Sequence, residues 1–454
     1  MEDIITALAT AWGEGGIAII RVSGEGSLSL ADKLFSASSQ LSEYPPRHMV
    51  LGKMISASGE IFDEVLAVRF EKNKSYTGEE SIEFHCHGGS VAAQKCIEEL
   101  CALGARIAMP GEFTRRAFTN GRMDLPQAES VLGIIRAKSD RALIAANRTL
   151  QGKFSQEIRF FLDKLTNIAA KLEVDLDFPE EDEGLLPKKD AVQTLDSLVE
   201  EGDLLLKRCR CGMVLREGIK TAILGKPNVG KSSLLNALLC EERAIVTSVP
   251  GTTRDNIEET VIHKGIPIKF IDTAGIRTTD DVVESMGVLR SRRFIDEADL
   301  CLLVLDASQP ITDEDRTLWN DIKFKKHIVV LNKIDLPLYN NAKILNQISP
   351  ISGIVSLSSL SSEGINEVKE YIVTKFASAD ELGGSYAVTA RQVNGIQNAV
   401  SALLSAKSAL ESTIGDDVAV SCIADARSNL AEVIGIDPTE DLIERIFGDF
   451  CVGK

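Results

Sequence analysis

The sequence predicts a multidomain protein of mixed α/β and α+β class, in which a helical domain is interrupted by a P-loop α/β domain. Three observations carry that expectation. The run GKPNVGKSS, Gly225 to Ser233, has the phosphate-binding spacing G-x-x-x-x-G-K-[ST], with an apolar strand pattern before it and a helix-forming stretch after it. Across residues 218–376 apolar strands alternate with amphipathic helices, the pattern of a parallel sheet covered on both faces. Helical spacing fills both flanks, so residues 119–217 and 377–454 read as two parts of one domain, and 218–376 as an insertion into a surface loop of it.

Taken in order, residues 1–118 read as a compact α+β unit. Ile17 to Val22, Glu64 to Phe70 and Ser81 to His85 have strand patterning, and Val91 to Leu103 has helical spacing. His85-Cys86-His87 reads as alternation within a strand rather than as a metal site. From Leu125 to about Arg210 the spacing is helical, with a break at Phe178-Pro179. Ile219 to Leu224 supplies the strand before the P-loop and Ser233 to Leu239 begins the helix after it. Past Leu382-Gly383-Gly384 helical composition returns, over Val388 to Leu410 and Ala419 to Phe447.

Composition limits the function classes. The chain has 454 residues, 44% of them hydrophobic, which is ample for packed cores. Its net charge is −17, and Glu173 to Glu183 alone holds seven acids. Such a chain is poorly suited to grasping nucleic acid over a broad surface, since that needs Lys and Arg clusters; if RNA is the substrate, a partner supplies much of the affinity. Nine scattered cysteines fit a reducing cytosol, and Cys209 and Cys211 are too close for zinc-ribbon spacing. No basic leader and no bilayer-length apolar run is evident, so a cytoplasmic protein with no membrane association is expected.

The base and the metal follow from strand-end motifs. In the P-loop (Asn228, Val229, Gly230, Lys231, Ser232, Ser233), Lys231 is expected to reach the β- and γ-phosphates and Ser232 to hold magnesium. DTAG (Asp272, Thr273, Ala274, Gly275) closes an apolar strand; Asp272 is the expected second-sphere magnesium carboxylate and the Gly275 N–H meets the γ-phosphate. NKID places Asn332, Lys333 and Asp335 after another strand, and the Asp335 carboxylate can accept both the N1 and N2 protons of guanine. Adenine offers neither and would leave that carboxylate unpaired, so the nucleotide is expected to be GTP. Ser358 and Ser359 support the base from the next loop, where Leu360 stands at the position usually held by Lys.

Hydrolysis needs an unusual solution. The residue after DTAG is Ile276, which cannot orient water as a Gln there does in many small GTPases. The loop Thr247, Ser248, Val249, Pro250, Gly251, Thr252, Thr253 has switch character, with Thr253 the expected magnesium and γ-phosphate ligand. Asn228, with the carbonyls of Thr247 and Val249, can ring a monovalent cation, and potassium there would take the place of an arginine finger. Asp280, Asp281 and Glu284 offer carboxylates nearby, and residue chemistry alone does not choose among them.

At this point the chain resembles the MnmE (TrmE) family of tRNA-modification GTPases over essentially its whole length. GGIAIIRVSG near the start, YTGEESIEFHCHGG from Tyr76, PGEFTRRAFTNGRMDLPQAE from Pro110 and the terminal FCVGK resemble that family's signatures, in order. The resemblance implies an N-terminal tetrahydrofolate-binding and dimerisation domain (1–118), a discontinuous helical domain and an inserted Ras-like G domain activated by potassium and by G-domain dimerisation. It also implies a homodimer that works with a flavoprotein partner, MnmG, adding a carboxymethylaminomethyl or aminomethyl group at carbon 5 of the wobble uridine of certain tRNAs. By position, Arg21, Glu83, Arg122 and Lys454 match the residues around 5-formyltetrahydrofolate: Glu suits the pterin's amino edge, and cations its glutamate tail. Asn228, Thr247, Val249 and Thr252 would surround potassium, Ser232 and Thr253 bind magnesium, and Glu284 orient the hydrolytic water. Trp12, Pro250 and Leu360 depart from the family pattern, and Cys451 lies in its terminal motif.

Two other classes fit parts of the chain. A ribosome-assembly or RNA-binding GTPase would normally bring a basic appended domain, absent from this composition. A folate-dependent one-carbon enzyme with a regulatory GTPase would leave tRNA untouched.

Overall fold

The computed structural model describes residues 3–177, 187–240, 259–271, 295–339, 348, 353–376, 383–412 and 415–454. The break expected at Phe178-Pro179 lies outside them. The chain forms two compact units, Met1–Leu132 with Leu150–Leu198 and Gly395–Lys454, and Gly133–Thr149 with Val199–Asn394.

The first unit begins with β1 (Ile5–Leu8), β2 (Ile17–Ser23), α1 (Ser27–Leu34), β3 (Phe35–Ser36), β4 (Val50–Ile55), β5 (Ile61–Phe70), β6 (Ser81–His87), α2 (Ser90–Ala102), β7 (Arg106–Ile107) and α3 (Glu112–Thr119). The strands join in the order β3-β4-β5-β6-β2-β1-β7, antiparallel except for β1 with β7. Period-two alternation decides the faces. Val65, Ala67, Ile82, Phe84, Ile20 and Val22 turn to one side and form a core with Leu30 and Ala31 of α1 and Ala93, Cys96 and Leu100 of α2. The opposite face carries the cross-strand row Leu51, Leu66, His85, Ile19, and beside it the paired positions Arg21 and Glu83.

Helices follow: α4 (Leu125–Ile135), α5 (Asp140–Leu150), α6 (Lys153–Asp177) and α7 (Lys188–Glu217). Then come β8 (Ile219–Leu224), α8 (Lys231–Cys240), β9 (Glu259–His263), β10 (Ile266–Ile271), β11 (Leu300–Asp306), α9 (Asp313–Ile322), β12 (His327–Asn332), β13 (Ile354–Ser356) and α10 (Ile365–Thr374). Their sheet runs β13-β12-β11-β8-β10-β9 and is parallel apart from the β9–β10 hairpin. Its central strands β11 and β12 are buried along their whole length because both faces of the sheet are covered. On one side Ile223, Val304 and Val330 meet Leu234 and Leu238 of α8 and Val368 and Ile372 of α10. On the other, Leu224, Leu303 and Leu331 meet Trp319 and Ile322 of α9. The remaining helices are α11 (Ala390–Glu411), α12 (Asp416–Ile434) and α13 (Glu440–Gly448).

α6 packs along α12. Helices from before and after the parallel sheet therefore build one helical layer, and the Ras-like α/β domain is an insertion within a discontinuous helical domain. Sequence periodicity ran Ala419 to Phe447 together, but Gly435 ends α12 in the left-handed region (φ 75°) and Thr439 caps a separate α13.

A charged cluster ties α3 to the first strands. Arg116 donates to Glu79 (3.2 Å), Glu112 (3.0 Å) and Asp3 (2.8 Å), and Arg106 to Glu112 (2.6 Å) and to Asp3. Burial pushes the Glu112 carboxyl up, but Arg106, the Met109 N–H and Arg116 outweigh it and hold it below the usual glutamate range. A lowered carboxylate stabilises the fold above its unfolded pKa, and that contribution is lost as pH falls through the folded value. Arg116→Ala removes the buried guanidinium shared by Glu79, Glu112 and Asp3, leaving Glu112 to Arg106 and the Met109 N–H, so it should cost about 3 kcal/mol at neutral pH. Thermal denaturation should register the loss, and the gap to wild type should narrow as pH falls below the ordinary glutamate range, through the lowered folded value of Glu112.

Candidate nucleotide and N-terminal sites

The loop between β8 and α8 closes on itself. Lys231 begins α8, and its Nζ donates to the carbonyls of Gly225 (2.6 Å) and Lys226 (2.8 Å), so the ammonium is held inside the loop. Burial there pushes its pKa down. Ser232 and Ser233 stand in the first turn of α8, whose N–H groups are the natural seat of a phosphate. Gly225 (φ 152°) and Gly230 (φ 97°) adopt angles that side chains resist, and a Cβ on Gly230 would come within 2.3 Å of Asn332 Nδ2. Lys226 turns outward, donating to Asp315 of α9 (3.0 Å).

Asn332 connects this loop to the base-recognition side. Fully buried at the end of β12, it donates from Nδ2 to the Val229 carbonyl (2.8 Å). Its Oδ1 accepts from the N–H (3.0 Å) and Oγ (2.9 Å) of Ser359. Ser358 Oγ donates to Asp335 Oδ1 (2.6 Å), which fixes the carboxylate, while Oδ2 is engaged by no described residue. Lys333 donates to the Asn228 carbonyl (2.8 Å) and to Asp306 (2.7 Å). The structure thus brings together Asn228, Val229, Gly230, Lys231, Asn332, Lys333, Asp335, Ser358 and Ser359. Leu360 is 88% exposed beside them. Thr247 to Thr253, Asp272 to Gly275, Asp280, Asp281 and Glu284 lie outside the described residues. Asp306 was missed from the sequence, although an acid closing an apolar strand was the same signal that singled out Asp272.

The first unit holds a second cluster. Arg21 and Glu83 face each other across β2 and β6 and form an ion pair at 2.9 Å. The guanidinium lies 4.9 Å from the Tyr76 ring centroid and 5.5 Å from that of Phe113, so it is clamped in place. The C-terminal residues reach the same place. Gly453, at φ 95°, lies so close to Leu8 that a Cβ would fall 2.0 Å from its carbonyl oxygen. Half-buried Lys454 has its pKa lowered by burial and then by the charge of Arg21, against the opposing pull of Glu83 and Cys451. Arg21 Nη1 and His85 Nε2 are buried with no hydrogen-bond partner among the described residues, and His85 Nε2 is 3.7 Å from Glu83 Oε2. Unmet polar atoms of this kind are costly unless a ligand or water engages them. Arg122 is exposed, its stem against Gly78, and makes no hydrogen bond or ion pair with the described residues outside its backbone. Among the described residues no group of three His, Cys, Asp or Glu side chains is placed to hold a metal ion, and no helix is long and apolar enough to cross a membrane.

A P-loop between β8 and α8, with Asn-Lys-x-Asp and Ser-Ser loops converging on it, defines a GTP-binding protein of the P-loop class. Comparison with known proteins narrows this. The family model "MnmE helical domain" matches residues 125–451, and "GTP-binding protein TrmE N-terminus" matches residues 4–122. Proteins named tRNA modification GTPase MnmE from Aquifex aeolicus (strain VF5) and Clostridioides difficile (strain 630) are each 42% identical to this chain, with all of both sequences covered. The one from Desulforamulus reducens is 41% identical, again over both full lengths. The chain belongs to the MnmE/TrmE family.

Gly230→Ala should force Asn332 away from the loop. We expect GDP affinity to fall at least about tenfold, one lost hydrogen bond plus local strain, with titration calorimetry as the measurement; unchanged affinity would mean that the close approach is irrelevant to binding.

Proposed function

We propose that this chain is a GTP hydrolase acting in tRNA modification, and more specifically a potassium-activated one. It works with the flavoprotein MnmG to place an aminomethyl-type group on carbon 5 of wobble uridine, using a tetrahydrofolate one-carbon unit. The observation that supports the nucleotide reading most is the Asn332 bridge between the P-loop and the Ser358-Ser359 loop. It sets Asp335 and Lys231 on one rigid frame, as simultaneous recognition of guanine and phosphates requires.

Lys231 would turn from its loop carbonyls to the β- and γ-phosphates, and Ser232 and Thr253 would hold magnesium, which supplies charge neutralisation between the phosphates. With Ile276 in the usual water-orienting position, Glu284 is assigned to position the water. Asn228, Thr247, Val249 and Thr252 are assigned to potassium. Asn228 is itself held at φ 65°, a conformation that asparagine tolerates better than most residues.

In the N-terminal unit Arg21, Glu83 and Lys454 would hold the tetrahydrofolate, with Arg122 at the margin. The orphaned Arg21 Nη1 and His85 Nε2 support a polar ligand there. The same sheet face exposes Ile17 (61%) and Leu51 (61%), apolar area that a second copy of the chain would cover. With an overall charge of −17, the chain leaves tRNA contact mainly to the complex.

In cells lacking the chain, mass spectrometry of wobble nucleosides should find unmodified uridine, restored by wild type and not by Glu284→Ala; fully modified nucleosides would contradict the proposal. Replacing potassium by sodium should slow GTP turnover sharply, and Asn228→Ala should erase that difference, whereas equal rates in both salts would remove the cation from the account.

A further inference from the structure

We propose that Asp306 is a positioning residue for guanine-nucleotide binding, acting through Lys333. Asp306 ends β11 with its side chain only 3% exposed. Its carboxylate accepts from Lys333 Nζ (2.7 Å) on one oxygen, and from the Ser308 N–H (3.0 Å) and Oγ (2.6 Å) on the other. The Lys333 ammonium also donates to the Asn228 carbonyl at 2.8 Å. One charged group therefore ties three loops: the end of β11, the base-recognition loop after β12 and the P-loop.

The backbone explains why such a tie is needed. Lys333 (φ 68°) and Asn228 (φ 65°) both sit in the left-handed region, which a residue with a side chain keeps only where its surroundings hold it. The ammonium bridges both strained residues. A second bond runs parallel to it, from the Ala307 N–H to the Asn332 carbonyl (2.8 Å), so the residue after Asp306 steadies the residue before Lys333. Burial pushes the Asp306 carboxyl up, but Lys333 and Ser308 outweigh that and leave it below its ordinary value. A full charge faces the ammonium at neutral pH, and a charge-assisted bond in a buried place is worth more than a neutral one. Asp306 touches neither phosphates nor base in this scheme; it fixes Lys333, which ties the base-recognition loop to the P-loop.

The inference rests on reading residues 218–376 as a guanine-nucleotide domain, and a double-mutant cycle in the full chain separates the two. GDP affinity is measured by titration calorimetry with magnesium present for wild type, Asp306→Asn, Lys333→Met and the double variant. Asp306→Asn should weaken GDP binding about tenfold, the loss of one charge-assisted bond. In the Lys333→Met background the same change should alter affinity less than about twofold, because its partner is gone. Equal losses in both backgrounds, as a merely structural role would give, overturn the proposal, and so does no loss in either. If Asp306→Asn fails to fold, Ser308→Ala removes one of the carboxylate's donors, and it should weaken GDP about threefold only where Lys333 is intact. Wild type that binds no GDP at all would sink the underlying reading instead.

Discussion

The site depends on one buried side chain. Asn332 is the only residue described that hydrogen-bonds both the P-loop backbone, at Val229, and the loop that fixes Asp335, at Ser359. A neutral amide suits this position, since it offers a donor on one side and an acceptor on the other. An Asp could not donate to the Val229 carbonyl, and an apolar residue would strand both loops. Because the amide is buried, its bonds do not compete with water, and loops that would otherwise move independently share one frame. Lys333 adds a second tie, to the P-loop at Asn228 and to the end of β11 at Asp306. The parallel sheet sets all of these residues at strand C-terminal ends, where open α/β sheets bind their ligands.

In the N-terminal unit a different constraint operates. Arg21 and Glu83 sit on a sheet face that α3 meets through Phe113, and what immobilises them is their own pairing, two aromatic rings and the close approach of Gly453 to Leu8. Gly453 and Lys454 thereby join the cluster carried by β1, β2 and β6. Lys454 enters a place already positive from Arg21, which only a carboxylate partner such as Glu83, or an anionic ligand, makes tolerable.

Much of this was legible in the sequence because the informative positions were local. The P-loop is a contiguous run between a strand and a helix, and the strand-end motifs are tetrapeptides. Ile219 to Leu224 forms β8 over the residues its apolar run marked, and the strand over Ile17 to Val22 is found one residue longer. The strand at Val50–Ile55 was not read, because Leu51 is apolar on the exposed face and Gly52 puts no side chain on the buried one, which blurs the alternation; Gly52 is there because the Phe35 ring lies against it, 2.4 Å from where a Cβ would be. The break between α12 and α13 was lost because Gly435 lies within an otherwise helical spacing. Pairings across long separations were beyond periodicity altogether. Asp306 with Lys333, Gly453 with Leu8 and the rings around Arg21 follow from topology, which places distant residues side by side for reasons no local pattern records. For Arg21 and Glu83, family resemblance named the residues and the antiparallel register of β2 and β6 supplied the physical reason they meet.

The central claim is that a preorganised frame around Asn332 reads guanine and phosphate together. The most direct measurement is calorimetric titration of the purified chain with GDP and, separately, ADP in magnesium, repeated with Asn332→Ala. The account predicts that wild type binds GDP at least about 100-fold more tightly than ADP, and that the substitution weakens GDP severely. Comparable affinities for the two nucleotides, or GDP binding indifferent to Asn332, would contradict it.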